Sequence, residues 1–486
     1  MSNPLANLKP EAVWRYFGEL CNYPRPSKKE KKVVEYVLSV IQKLGLPYEQ
    51  DSFGNILVRK PATPGFENRK TVCLQSHLDM VCEKNSDVQH DFDNDPIQPY
   101  IDGDWVKAKG TTLGADNGIG VAAALAVMEA KNIQHGPLEF LFTLDEETGL
   151  TGANNLKPGF VTADILLNLD SEEDGALYIG CSGGKDTEGK FTYSKQNVPN
   201  NSLGYKIKVT GLKGGHSGLD IHLGRGNAIK ILSRLLWNLQ NQFDIRLSKI
   251  EGGSKRNAIP REAFANIVVN KSKADELEGF INYYNTVVKS ELSTVEPDLK
   301  VEFERSELPE FVIDKSTQMN LLNALYALPH GVIKMSADIP GLVETSTNLA
   351  TITFGDEIVV GTSQRSSVES EKEDVVTMNR CVFLLANAEV KHGDGYPGWK
   401  PDINSEILKV MKEVYKNKYG KEPEVKAIHA GLECGIIKEK YPTMDMISFG
   451  PTIMGAHSPD ERVQISTVEK FYDLLLEVLK NIPVKN

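Results

Sequence analysis

The chain has 486 residues, 40% of them apolar and 25% charged, which is ordinary for a globular protein and too long for a single hydrophobic core. Its 66 acidic residues against 55 basic ones give a formal net charge of -11, which argues against a nucleic-acid surface built on a basic stripe. The first residues, MSNPLANLKPEAVWRYF, lack the basic patch and apolar core of a secretory signal, and no run nears the ~20 apolar residues of a membrane span. A soluble, cytoplasmic protein with no nucleic-acid or membrane partner is expected.

Residues 10–44 read as helical, with a proline near the start and Gly45 just past the end. A β-prone run at 71–75 is followed by 118–131, rich in Ala, Val and Leu and free of proline, which reads as a buried helix. Residues 138–143 form a second β-prone run. A third, 165–169, is nearly all apolar, as suits a strand covered on both faces. Strands alternating with helices predict an α/β domain with a largely parallel sheet. The character changes after Cys181-Ser182-Gly183-Gly184. Residues 205–210 alternate polar and apolar, as do 300–304 and 348–360, with helical stretches at 227–241, 272–291 and 316–327 between them. That mixture predicts an antiparallel sheet with helices on one side. From Ser405 the helix, strand, helix pattern returns, ending in the amphipathic stretch 468–479. The expected organisation is 1–186 and 386–486 forming one domain, with 187–385 inserted into it. The six cysteines, Cys21, Cys73, Cys82, Cys181, Cys381 and Cys434, contain no CxxC pair and read as buried or reduced thiols.

Five short motifs carry chemistry. His77 and Asp79, directly after a strand, are two residues apart and so point to one side of an extended segment. One can hold a metal while the other orients it; a plain surface pair is the competing reading. Asp116, among Gly114, Gly118 and Gly120, precedes the buried helix and reads either as a ligand or as a helix cap. The surrounding glycines allow close approach of a backbone or ligand. Asp145-Glu146-Glu147 follows an apolar strand. A solvated turn is the usual meaning of such a run, but the carboxyl ends of strands are where open α/β sheets bind ligands. Glu146 and Glu147 would repel one another there without a cation. Asp170 ends another strand, and His457 lies in the returning part of the first domain. Hard N and O donors without cysteine suit zinc, cobalt or manganese.

In order and spacing, His77-Leu78-Asp79, Asp116-Asn117-Gly118, Asp145-Glu146-Glu147-Thr148-Gly149, Asp170 and His457 resemble the carboxypeptidase/aminoacylase superfamily of co-catalytic zinc exopeptidases. The stretches 74–82, Cys181 to Gly184 and His429-Ala430-Gly431-Leu432-Glu433-Cys434-Gly435 are similar to the bacterial aminoacyl-histidine dipeptidases, over essentially the full length. The resemblance implies a mixed-sheet α/β catalytic domain with an inserted α+β lid domain. It also implies two divalent ions per subunit, zinc foremost, with cobalt or manganese as alternatives. Asp116 would bridge the ions, His77 and Asp170 completing one shell and Glu147 and His457 the other. Asp79 would orient His77, Glu146 would be the general base, and the Asp116–Asn117 peptide would be cis.

On the lid, the resemblance implies that His216 stabilises the oxyanion, although Gly214-Gly215-His216-Ser217-Gly218 alone reads as a turn. Asn257 and Arg365 would contact substrate, Arg365 through its paired donors; a surface arginine near Glu369 and Glu371 is the other reading. Glu433 would line the substrate pocket. Lid and metal site in different domains would require closure. A homodimer through the lid is implied, with the lid histidine serving its own subunit or its neighbour's, unless the long insert mimics a dimer partner. The implied activity is hydrolysis of unblocked dipeptides, including aminoacyl-histidine dipeptides such as carnosine. A tripeptidase, an N-acyl amino-acid amidohydrolase and a non-catalytic metal-binding scaffold are the alternatives.

Overall fold

A computed structural model describes residues 4–485. The chain divides into two compact units, one running to Cys181 and resuming over Trp399–Ala427 and from Leu432, the other formed by Ser182–Gly398 with Ile428–Gly431.

The first unit is built on an eight-stranded mixed sheet in the order Tyr48–Gln50, Ile56–Lys60, Leu138–Thr143, Val72–His77, Ile165–Asn168, Asp445–Ser448, Ala176–Cys181, Glu424–Ile428. Its four central strands, 138–143, 72–77, 165–168 and 445–448, run parallel. Every residue of the first three is buried; the apolar runs 72–74, 140–142 and 165–167 follow from cover on both faces, while Gln75, Ser76, His77 and Glu139 are buried polar residues. The chain leaves 72–77 for 138–143 on one side, then returns past it to 165–168 on the other. This reversal opens a crevice at the carboxyl ends of the strands.

The helix Ala115–Glu129 is buried around its whole circumference from Asn117 to Met128, and its first turn, at Asp116 and Asn117, is not helical. The Asp116–Asn117 peptide is cis. Gly120 lets this helix approach the sheet, since a Cβ there would lie 2.6 Å from the Leu169 carbonyl oxygen.

The expected single helix over 10–44 is two, Glu11–Leu20 and Lys31–Leu44. Pro24 and Pro26 fall in the connection, where a missing N–H and the restriction on the preceding residue end regular helix. Gly45 does close the second helix in the left-handed conformation. Two short strands outside the sequence reading, Pro99–Asp102 and Trp105–Ala108, join Ile453–Met454 and Arg462–Gln464 in a four-stranded sheet. The connection inside this small sheet, between 454 and 462, carries His457.

The second unit holds an antiparallel sheet of nine strands. Eight lie in the order Lys300–Ser306, Ser202–Thr210, Ala263–Asn270, Arg246–Gly252, Val343–Phe354, Ile358–Ser366, Gly183–Phe191, Glu389–His392, and Gly331–Met335 also pairs with 343–354. The expected strand over 348–360 is instead a hairpin of two strands turning at 355–357. This unit reaches beyond 187–385 because Gly183–Phe191 pairs with both Ile358–Ser366 and Glu389–His392. Helices Ala228–Phe243, Ala274–Glu291, Lys315–Ala327 and Glu369–Leu385 share one continuous apolar core with the sheet. All six cysteines are free; Cys381 is exposed and Cys82 half-buried, and the other four are buried. Among the described residues no helix is long and apolar enough to cross a membrane.

Candidate metal centre

The crevice of the first unit gathers the five expected ligands into two triads sharing one carboxylate, His77–Asp116–Asp170 and Asp116–Glu147–His457. Around His77 Nε2 stand Asp116 Oδ1 at 3.2 Å and Asp170 Oδ1 at 3.3 Å. Around His457 Nε2 stand Asp116 Oδ2 and Glu147 Oε2, both at 3.2 Å. Asp116 thus presents a different oxygen to each triad. Donor separations of this size are the edges of a tetrahedron whose centre lies about 2.0 Å from each corner, the bond length of zinc to nitrogen or oxygen.

Two further observations fit a cation. Asp170 Oδ1 and Glu147 Oε1 are buried without an aligned hydrogen bond. The carboxylates also crowd one another. Burial, together with Asp116 and Glu147, pushes Asp170 up to about 7 against the pull of His77. Glu146 is driven well above the usual range by burial and by Asp170, Glu433 and Glu147, although His77 opposes this. A divalent ion in each triad would balance that charge.

Local structure explains each placement. His77 ends its strand, and Asp79 Oδ1 lies 3.3 Å from His77 Nδ1. Asp79 is itself fixed by the backbone N–H of Glu146 (3.0 Å) and Glu147 (3.1 Å) and by the Ser27 hydroxyl (2.7 Å). Burial works to raise the Asp79 pKa, but the His77 interaction and these donors overcome it and hold the carboxyl down at about 2. Asp145 faces inward: Thr148 and Thr151 donate to its carboxylate, and its N–H donates to Glu30. Its positive φ of 52° turns the chain so that Glu146 and Glu147 come within reach of His77. His457 also has a left-handed backbone, φ 63°, in a turn closed by Ser458 N–H and Oγ donating to the Gly455 carbonyl. Non-glycine residues held in this region cluster at functional sites.

The model of peptidase family M20/M25/M40 matches residues 73–481. The chain is 46% identical over 482 residues to the cytosol non-specific dipeptidase of Escherichia coli (strain K12), covering 99% of each chain. The chain belongs to the M20/M25/M40 peptidase family. A solved aminoacylhistidine dipeptidase from Vibrio alginolyticus matches this peptidase with a TM-score of 0.94 at 46% identity over 99% of each chain. Aminopeptidase PepT from Bacillus cereus shares the fold at 16% identity, with a TM-score of 0.57 over 98% of this chain and 99% of that one.

Arg25 was not singled out by sequence reasoning, and the contacts of Asn117 and Glu433 were not foreseen. Arg25 donates to the carbonyls of Leu78 (3.2 Å), Asp79 (3.1 Å) and Gly114 (2.5 Å), tying two ligand loops together. Asn117 Nδ2 donates to the Leu169 carbonyl at 2.7 Å, next to Asp170. Glu433 is buried, with one oxygen accepting from Gln75 Nε2 (2.7 Å) and Thr143 Oγ1 (2.8 Å) and the other unpartnered. Burial is the main cause that pushes Glu433 up to about 7. Gln75 in turn accepts from Asn168, which accepts from Ser448, so a polar network underlies the strand ends.

In the second unit, His216 pairs with Ala258 in a two-residue ladder, beside Asn257, whose carbonyl accepts from Ser217 N–H at 2.9 Å. His216 Nδ1 accepts from the N–H groups of Gly218 (3.2 Å) and Leu219 (3.0 Å), which assigns the proton of the neutral ring to Nε2. Burial and the nearby Arg365 lower its pKa and keep the ring neutral. Arg365 is buried rather than at the surface: Nη1 donates to the Tyr396 hydroxyl at 2.8 Å and Nε has no partner. Asn257, Arg365 and Tyr396 line one cavity of about 350 Å³ within this unit.

Proposed function

We propose that this peptidase hydrolyses unblocked dipeptides, including aminoacyl-histidine dipeptides such as carnosine, with two divalent metal ions, zinc foremost. The observation that carries the reading is the pair of triads sharing Asp116. The dipeptide specificity is supported by the two relatives at 46% identity, named for dipeptidase activity.

In this reading His77 and Asp170 would hold one ion and Glu147 and His457 the other, with Asp116 shared between them. When bound, the ions lower the pKa of a shared water and polarise the scissile carbonyl. Glu146 takes the proton of the attacking water and passes it to the leaving amine; its raised affinity for a proton suits the second half of that task. Asp79 keeps the His77 ring turned so that Nε2 faces the ion. His216 donates its Nε2 proton in a hydrogen bond to the developing oxyanion, a role its fixed tautomer favours. Arg365 and Asn257 receive the substrate, Arg365 through its carboxylate, and Glu433 is assigned to the lining of the substrate pocket.

We further propose a cytoplasmic homodimer associating through the second unit. Six free cysteines support the compartment. Exposed Ile333 and Met335 on the strand Gly331–Met335 support the association.

A panel of free and N-acetylated dipeptides, assayed on metal-depleted protein before and after zinc, cobalt or manganese is restored, tests the reading. Hydrolysis of free dipeptides, aminoacyl-histidine ones included, should appear only on metal return. Equal turnover of the N-acetylated set would favour an amidohydrolase, and no turnover with any metal would favour a scaffold.

A further inference from the structure

Glu461 lies four residues beyond His457 and is 2% exposed. Its Oε2 accepts from the backbone N–H of Leu113 (2.6 Å) and Gly114 (2.8 Å), and its Oε1 from those of Ala115 (2.8 Å) and Asp116 (3.2 Å). One buried carboxylate therefore satisfies four consecutive backbone donors at the non-helical start of helix Ala115–Glu129, where such donors otherwise lack partners. The Glu461 N–H also donates to the Ser458 carbonyl at 3.1 Å, closing the turn that follows His457. The connection carrying His457 and the connection carrying Asp116 are joined through this one side chain.

We infer that Glu461 is a positioning residue that sets the backbone of Asp116, and through it the geometry of both metal sites. The inference rests on the two-ion reading. Asp116 belongs to both triads, whereas His457 belongs to one. Loosening Asp116 should weaken both ions together, while removing the His457 ring should weaken one. Glutamine is nearly isosteric at 461, but its amide NH₂ would confront backbone N–H groups donor to donor. Aspartate keeps the charge and both acceptors on a shorter arm.

The test is a chelator-competition titration with zinc on the full chain for wild type, Glu461→Gln, Glu461→Asp and His457→Ala. Far-UV circular dichroism of the metal-free forms establishes that each is folded. Glu461→Gln should lose about 10- to 100-fold in affinity for each of the two ions. Glu461→Asp should lose less, again for both, and His457→Ala should lose affinity for one. Two unchanged affinities in folded Glu461→Gln, or a loss confined to one ion, would overturn the inference. If Glu461→Gln does not fold, Glu461→Asp decides by the same criterion: affinity must fall for both ions. A wild-type protein binding fewer than two ions would remove the two-ion reading itself, an outcome separate from two ions insensitive to residue 461.

Discussion

Three consecutive carboxylates, Asp145, Glu146 and Glu147, meet three different environments. Asp145 is spent on the turn, held by Thr148 and Thr151. Glu147 puts one oxygen 3.2 Å from the His457 ring and joins the second triad. Glu146 makes no side-chain hydrogen bond to these groups, and burial with neighbouring acids raises its pKa. A group with no structural partner beside the ligands is free to move a proton. Glu146→Gln should therefore retain both metals, by elemental analysis, and lose about 100- to 10,000-fold in kcat. Turnover within about tenfold of wild type would remove the base assignment. The residues alone showed only a run of acids at a strand end, and the division between Glu146 and Glu147 came from the family resemblance; that Asp145 faces inward depended on its φ and two threonine hydroxyls.

At the scale of elements, the parallel strands were the most legible part, because cover on both faces favours apolar runs such as 72–74, 140–142 and 165–167. The 138–143 strand matches its expected bounds, and the start of regular helix after the cis peptide matches the run from Gly118. What escaped depended on distant partners. The groups that Arg25 and Glu461 hold are main-chain atoms, whose identity no side-chain pattern encodes. The turn at 355–357 was marked by Gly355-Asp356-Glu357, a break in the alternation that the single-strand reading of 348–360 passed over.

The short segment Ile428–Gly431, which belongs to the second unit, has a pH consequence. His429 is 6% exposed, and its Nε2 lies 2.7 Å from the Ser346 hydroxyl. Burial, reinforced by Arg365, His216 and His222, lowers its pKa to about 3. An unfolded histidine titrates near 6.5, so below that pH the unfolded chain binds a proton the folded chain refuses. The contribution is complete above about pH 6.5 and is lost as pH falls towards 3. By pH 5 the loss is on the order of 2 kcal/mol. The drop in Tm between pH 7.5 and 5, followed by calorimetry on metal-loaded protein, should be smaller in His429→Gln than in wild type. Parallel curves for the two proteins would contradict this.

The whole molecule holds two units of different construction. The first is a mixed sheet whose strand ends gather the two triads that share Asp116. The second is an antiparallel sheet that holds His216 as a neutral Nε2 donor and Arg365 with an unpartnered Nε. Membership of the M20/M25/M40 peptidases was legible in the order and spacing of five ligands spread over 381 positions of chain, from His77 to His457 inclusive. The sharing of Asp116 between two histidines is the geometric core of the account. Its most direct test is the metal content per chain of the wild type and of Asp116→Ala after dialysis against a weak chelator. Two zinc ions per wild-type chain and fewer than one in the variant are expected. Two ions retained by Asp116→Ala would contradict that sharing.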